Sequence, residues 1–270
     1  MLRLRTRVYL FRGLSKQFKF KHKTSVWLFC WSENLKCGCG GIKFTQTNPI
    51  FALFIVVSMA KKSKNARWGI IVLIIFHLVG LVGFNIPSLK PMFMQLVPYH
   101  LLLCLGVLLA FHQPWKGKFV LGAILVMFAG WAIEWVGVET GKIFGSYHYG
   151  ATLGKKFDGI PLIIGVNWFI LLYSSLLLAE MITKLNWLKC VLAGIFMVLM
   201  DILIEPVAVR YDYWQWHTLH IPIQNYIAWG VFGTLLAFGF SSIKLKLQNP
   251  VAVPLYAIQL VFFMIMNVLL

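Results

Sequence analysis

The chain has 270 residues, of which 60% are hydrophobic and only 12% are charged. This composition is typical of an integral membrane protein and excludes an ordinary water-soluble domain. The net charge of +17 is concentrated in residues 1–67, which hold 14 of the 25 Lys and Arg residues and one acidic residue. A nucleic-acid-binding protein needs a folded basic surface, whereas this segment leads into apolar sequence, so no nucleic-acid partner is expected.

Residues 1–58 differ from the rest of the chain. They are basic and irregular, and their hydrophobic run at 49–57 is too short to cross a bilayer. The run MAKKSKNARWGI, beginning at Met59, is typical of a chain start because a basic cluster leads into an apolar span through Trp68. We therefore predict a basic N-terminal extension over 1–58, outside the fold, and a polytopic helical membrane domain over 59–270. The alternative of a signal peptide is weaker, since the apolar run lies far from the N-terminus and lacks a convincing cleavage site.

The membrane domain contains seven apolar stretches of about the 20 residues that a spanning helix requires. They lie at roughly 68–86, 92–111, 119–138, 160–180, 187–208, 223–243 and 250–269. The loops between them are short, so we predict an all-α integral membrane protein with about seven transmembrane helices in a single bundle. Lys and Arg residues near the spans number ten on the side of the N-terminus and five on the other side. This bias favours a cytoplasmic N-terminus.

Three acidic residues interrupt the predicted spans: Glu134, Asp201 and Glu205. Placing a carboxylate at the centre of a spanning helix costs roughly 2.5 kcal/mol or more of insertion free energy, so such a residue usually has a function. Asp201 and Glu205 are four residues apart and therefore neighbours on one helix face. Two like charges that close in a low-dielectric setting do not both ionise, so one member is expected to keep its proton and serve as an acid. The alternative is a structural polar pair that hydrogen-bonds to neighbouring helices.

Aromatic residues are dense around these acids. Two tryptophans flank Glu134, the segment FGSYHYG (144–150) follows the third span, and RYDYWQW (210–216) follows the fifth. Counting spans places both segments at the same membrane face. Aromatic faces stabilise cations by roughly 0.5–2 kcal/mol each, which favours a cation-binding pocket. Its candidate lining residues are Trp131, Trp135, Tyr147, Tyr149, Trp214, Trp216 and Asn225. The alternative is an interfacial aromatic belt. His148 is a candidate proton shuttle, or simply an exposed loop histidine.

The sequence predicts neither a metal site nor a cofactor. Cys37 and Cys39 form a CxC spacing, but no further ligand follows at the spacing of a zinc site. Cys104 lies inside an apolar span, where a small buried thiol is the ordinary interpretation. His77 and His100, also within spans, are interpreted as polar packing partners.

Three motifs together resemble a known family. They are EWVGVETGKIFGSYHYG, LGKKFDGIPLIIGVNWFILLYSS, and DILIEPVAVRYDYWQW followed by IPIQNYIAW. Over about residues 67–245 the chain resembles the carotenoid biosynthesis membrane proteins of the carotenoid 1,2-hydratase and bisanhydrobacterioruberin hydratase type. The resemblance implies a bacterial or archaeal cytoplasmic-membrane enzyme acting on a carotenoid drawn from the bilayer. Other enzymes of the same pathway are candidate partners.

The implied chemistry is hydration of the acyclic end-group double bond of a carotenoid to a tertiary alcohol. Such a reaction needs a proton donor, stabilisation of a tertiary carbocation and a water molecule positioned by a base. The protonated member of the Asp201–Glu205 pair is the expected donor and its ionised partner the expected stabiliser, while Glu134 or His148 would orient water. One alternative is an end-group cyclase or isomerase that uses the same acid but excludes water. Another is a non-enzymatic proton-coupled carrier or carotenoid-binding membrane protein.

Overall fold

The computed structural model describes residues 64–270. This part of the chain forms seven long helices: α1 (Lys64–Asn85), α2 (Lys90–Ala110), α3 (Gly117–Thr140), α4 (Ile163–Ile182), α5 (Asn186–Arg210), α6 (Ile223–Ser241) and α7 (Ala252–Leu269). All seven are long and apolar enough to cross a membrane, which confirms the predicted fold class. The prediction for residues 1–58 lies outside the described residues, and the direction in which the bundle crosses the membrane stays a prediction.

Helix α4 is the central element of the bundle. It packs against α2, α3, α5, α6 and α7, and its side chains Trp168, Phe169 and Tyr173 are almost completely buried. Small residues let neighbouring helices approach closely, as is usual in membranes. At Gly165 of α4, an added Cβ would lie 2.2 Å from the backbone oxygen of Met127 on α3. Most residues of α4 are therefore buried inside the bundle.

Two connections between helices meet at one end of the bundle. Strand β1 (Tyr147–Tyr149), in the α3–α4 connection, pairs antiparallel with β4 (Trp214–Trp216), in the α5–α6 connection. The α3–α4 connection also contains a small hairpin of β2 (Lys156–Phe157) and β3 (Ile160–Pro161). The expected convergence of the two aromatic segments is therefore confirmed, although the strands themselves were not predicted. Side chains of the β1–β4 ribbon contact Glu134 of α3 and Glu205 of α5.

Candidate functional site

The first part of the site is built around Glu134, which is buried near the end of α3. Its Oε2 accepts hydrogen bonds from the hydroxyl groups of Tyr147 and Tyr149, at 2.5 and 2.8 Å, and its Oε1 accepts one from the indole nitrogen of Trp168 at 2.9 Å. Burial, followed by the nearby Glu134 charge, raises the pKa of both tyrosines well above their usual range. Both phenols therefore keep their protons and act as donors to the carboxyl group.

The second part of the site joins two acids of α5 to α6. Asp201 and Glu205 are buried and project towards Asn225, which lies in the first turn of α6. The Nδ2 group of Asn225 donates to Asp201 Oδ2 at 2.7 Å and to Glu205 Oε1 at 3.0 Å. One amide thus bridges both carboxyl groups, as the four-residue spacing of the acids permits. Among the described residues, Asp201 Oδ1 has no hydrogen-bond partner.

The β1–β4 ribbon supplies donors to both parts of the site. Side chains alternate along a strand, so Tyr147 and Tyr149 of β1 share the inward face with Trp214 and Trp216 of β4. Trp214 and Trp216 donate their indole N–H groups to Glu205 Oε2 at 3.1 and 2.9 Å. Side chains of strand β1 therefore donate hydrogen bonds to Glu134, and side chains of strand β4 donate them to Glu205. Among the described residues, none of the groups that donate to the three acids carries a positive charge.

Glu134 and Glu205 line one small cavity. Its volume is about 10 Å³, close to the roughly 10–15 Å³ that one water molecule requires. The stacked indoles of Trp168 and Trp229, with ring centroids 4.2 Å apart, lie beside it, and Trp229 contributes to its wall. Two carboxyl groups and the indole of Trp229 therefore face a space of the size of a water molecule.

A much larger cavity adjoins this space. It has a volume of about 420 Å³ and is lined mainly by apolar side chains of α1, α2 and α7. Ile164 and Trp214 line both the large and the small cavity. At its other end the large cavity is bordered by exposed side chains of α1 and α2, including Phe76, Leu96 and Tyr99. These residues lie on membrane-spanning helices, so the cavity opens sideways towards lipid.

Three predicted site residues lie elsewhere. His148 is exposed on the outward face of β1, with its Nδ1 2.9 Å from Nε2 of His217. Strand alternation turns it away from the face that carries the tyrosines, so the structure does not bring His148 together with the acids. Trp135 is partly exposed and donates to Asp158 Oδ2 at 2.7 Å. Trp131 packs beside Phe157. Each helical residue is rotated by about 100° from the next, and neither tryptophan lines the cavity beside Glu134.

The other candidates come together at the carboxyl groups. Glu134, Tyr147, Tyr149, Glu205, Trp214, Trp216 and Asn225 all line the small cavity, and Asp201 reaches it through Asn225. Trp168, which donates to Glu134, and Trp229, which lines the small cavity, were not among the predicted site residues, although both lie within motifs that carry the resemblance. Both lie in helices whose apolar residues show no single face, so periodicity cannot single them out.

The fold and the site define an integral membrane protein with buried acids at the end of an apolar, lipid-facing cavity. Residues 95–270 match the family described as carotenoid biosynthesis protein, and the chain belongs to this family. A curated relative is the bisanhydrobacterioruberin hydratase of Haloarcula japonica, which is 29% identical over 141 residues. The match covers 47% of this chain and 47% of that protein, so the chain spans about half the length of this relative. No solved structure matches the chain.

Proposed function

We propose that this protein hydrates the acyclic end-group double bond of a carotenoid and forms a tertiary alcohol. The observation that carries the proposal is the junction of the two cavities at Ile164 and Trp214, where an apolar space meets buried carboxyl groups. Membership of the family supports a role in carotenoid biosynthesis. The name of the Haloarcula japonica relative supports hydration as the reaction.

The large cavity suits one end of a polyene. Its volume of about 420 Å³ lies within the roughly 300–1,000 Å³ of small-molecule pockets. The exposed apolar side chains at its opening let a substrate enter from the bilayer between α1 and α2. The end group would advance to Trp214, while the rest of the polyene remains in lipid. The protein would therefore act on the end of the substrate and not on its middle.

The Asp201–Glu205 pair is the proposed source of the proton. Two buried carboxyl groups without a basic partner do not both ionise, so the pair shares one proton. Asp201 accepts one hydrogen bond, whereas Glu205 accepts three. Hydrogen bonds to the charged form stabilise it, so the proton rests on Asp201 and the charge on Glu205. Glu205 lines the small cavity, so it takes the proton from Asp201 and passes it to the substrate, which leaves both members of the pair ionised until the proton returns.

The reaction begins when this proton forms a C–H bond at the less substituted carbon of the terminal double bond. The π electrons form that bond, and the positive charge develops on the tertiary carbon. Carboxylates and the aromatic side chains that line the small cavity, Trp214, Trp216 and Trp229, stabilise this charge. Water in the small cavity then forms the C–O bond and loses a proton to Glu134. That proton returns across the cavity to Glu205, so one alkene and one water give one alcohol and the acids are restored.

Pigment analysis tests this proposal. A host that makes lycopene or gamma-carotene is compared with and without the protein, and the extracted pigments are analysed by mass spectrometry. Hydration gives a product heavier by one water, and growth in H₂¹⁸O places the heavy oxygen in that product. A pigment of unchanged mass would instead indicate a cyclase or isomerase. The absence of any new pigment, with the protein present in the membrane, would indicate a carrier or a carotenoid-binding protein.

A further inference from the structure

Three metal-ligating side chains converge where α1 and α2 meet on the wall of the large cavity. His77 of α1 and His100 and Cys104 of α2 each place one ligand atom within 4.8 Å of the others. His77 and Cys104 are buried, and His100 is partly buried. His100 and Cys104 are one helical turn apart, so both point from the same face of α2 towards α1. None of these residues lines the small cavity that holds Glu134 and Glu205.

A backbone contact fixes the orientation of the His77 ring. Its Nδ1 lies 2.7 Å from the carbonyl oxygen of Leu73, one turn earlier in α1. A carbonyl oxygen only accepts hydrogen bonds, so Nδ1 carries the proton and Nε2 presents its lone pair to His100 and Cys104. Histidines that bind metals almost always donate their other ring N–H in this way, to a carbonyl or a carboxylate.

The distances within the cluster match those around a tetrahedral metal ion. Nε2 of His77 and Nε2 of His100 are 3.4 Å apart, and Sγ of Cys104 is 3.6 Å from Nε2 of His100. Bond lengths of about 2.0–2.1 Å to nitrogen and about 2.3 Å to sulfur, at tetrahedral angles, place two nitrogens about 3.3 Å apart and a nitrogen and a sulfur about 3.6 Å apart. Both measured distances therefore fit one tetrahedral ion, and the third pair, His77 and Cys104, lies within 4.8 Å.

Without a metal ion, hydrogen bonds satisfy the polar atoms of this cluster only in part. Nε2 of His100 has either one hydrogen or one lone pair, yet it faces both the lone pair of His77 and the sulfur of Cys104. If His100 donates to His77, it offers no acceptor to the Cys104 thiol. A cation between the three atoms would be bound by two nitrogen lone pairs and a thiolate at once.

We propose that His77, His100 and Cys104 bind one thiophilic transition-metal ion, Zn²⁺ or Cu⁺, which links α1 to α2 beside the large cavity. Imidazole and thiolate ligands suit these ions, whereas Mg²⁺ and Ca²⁺ prefer oxygen. With one thiolate and two neutral imidazoles, Cu⁺ forms an uncharged complex, and Zn²⁺ keeps one positive charge. The sequence predicted two packing histidines and no metal here, because the ligands come from two helices and spacing along one helix does not reveal the set.

The test uses the full-length chain purified in detergent, with Cys30, Cys37 and Cys39 replaced by Ser so that their thiols do not bind the probe. After treatment with a chelator, the protein is titrated with Co²⁺, a spectroscopic substitute for Zn²⁺. The matched variants are Cys104→Ser and Cys190→Ser, since Cys190 is also a buried thiol of a spanning helix but lies outside the cluster. A second arm measures zinc and copper in protein purified without a chelator.

One Co²⁺ per chain is expected, with visible absorption bands of a tetrahedral ion and a near-ultraviolet band from the thiolate. Cys104→Ser should lose the thiolate band, and His100→Gln should weaken binding by at least the roughly 10–100-fold that loss of a supporting partner costs. Cys190→Ser should behave as the parent. The second arm should find about one zinc or one copper per chain and so identify the ion. Absence of these bands together with absence of both metals would overturn the proposal, as would an unchanged thiolate band in a folded Cys104→Ser protein.

Discussion

Replacement of Asp201 by Asn separates acid chemistry from packing at the proposed proton source. Asp201 Oδ2 accepts a hydrogen bond from Asn225 at 2.7 Å, and Asp201 Oδ1 has no partner among the described residues. An asparagine can keep its carbonyl oxygen facing Asn225 and place its NH₂ group where Oδ1 lies. The structural change is then limited to a buried amide without a partner, which lowers the free energy of unfolding by about 1–3 kcal/mol.

The expected loss of activity is larger than a packing effect. General acid catalysis is worth roughly 10²–10⁴ in rate, which corresponds to about 2.7–5.4 kcal/mol of barrier at 1.36 kcal/mol per tenfold. Loss of one neutral hydrogen bond, at about 0.5–1.5 kcal/mol, would change a rate by only about 2–13-fold. We therefore expect Asp201→Asn to lower the initial hydration rate by about 100-fold or more. Glu205→Gln should be at least as severe, because both of its carboxyl oxygens accept hydrogen bonds.

The assay uses membranes that contain equal amounts of each variant, as measured by immunoblot. Mass spectrometry follows the formation of the product that is heavier by one water. Asp158→Asn is the control, since Asp158 is exposed in the loop before α4 and accepts a hydrogen bond from Trp135. It should stay within a few-fold of the parent. Rates within tenfold of the parent for both Asp201→Asn and Glu205→Gln would refute the acid pair and leave Glu134 as the remaining candidate.

Three further outcomes are expected. Gly165→Ala places a Cβ 2.2 Å from the backbone oxygen of Met127 and should lower the thermal midpoint in detergent through an overpacking cost of about 1–3 kcal/mol. The control is Gly106→Ala, where an added Cβ meets nothing within 4 Å. This variant should leave the thermal midpoint unchanged. Ile164→Phe narrows the junction of the two cavities and should abolish pigment conversion at normal protein level; unchanged conversion would contradict the proposed path. A chain starting at Met59 should insert and act normally, and complete loss of activity after proper insertion would show that the extension is required.

The seven helices were predictable because a bilayer imposes length and hydropathy on every span. The first and last residues of each predicted span lie within four residues of the first and last residues of the observed helix. The α5 acids were equally visible, since charged residues in apolar sequence are expensive, and their four-residue spacing placed them on one face. Both features depend only on local sequence.

Contacts between elements were predictable only where topology brought them together. Counting spans correctly placed the two aromatic segments at one end of the bundle, but it did not give the β1–β4 register that turns Tyr147 inward and His148 outward. Proximity in sequence favoured Trp131 and Trp135 as neighbours of Glu134, whereas Trp168 reaches that carboxyl group from α4. Helices that are apolar on all sides do not reveal which side faces the site.

The placement of the acids near the ends of their helices has a consequence for the product. Glu134 precedes the end of α3 by six residues and Glu205 precedes the end of α5 by five, so both lie within about 10 Å of the helix ends at 1.5 Å per residue. Under the proposed function, an alcohol formed there would arise close to the headgroup region, while the polyene would still extend into lipid. The modified pigment would thus leave the protein with its polar end already at the membrane surface, and it would not have to carry a hydroxyl group through the hydrocarbon layer to become anchored.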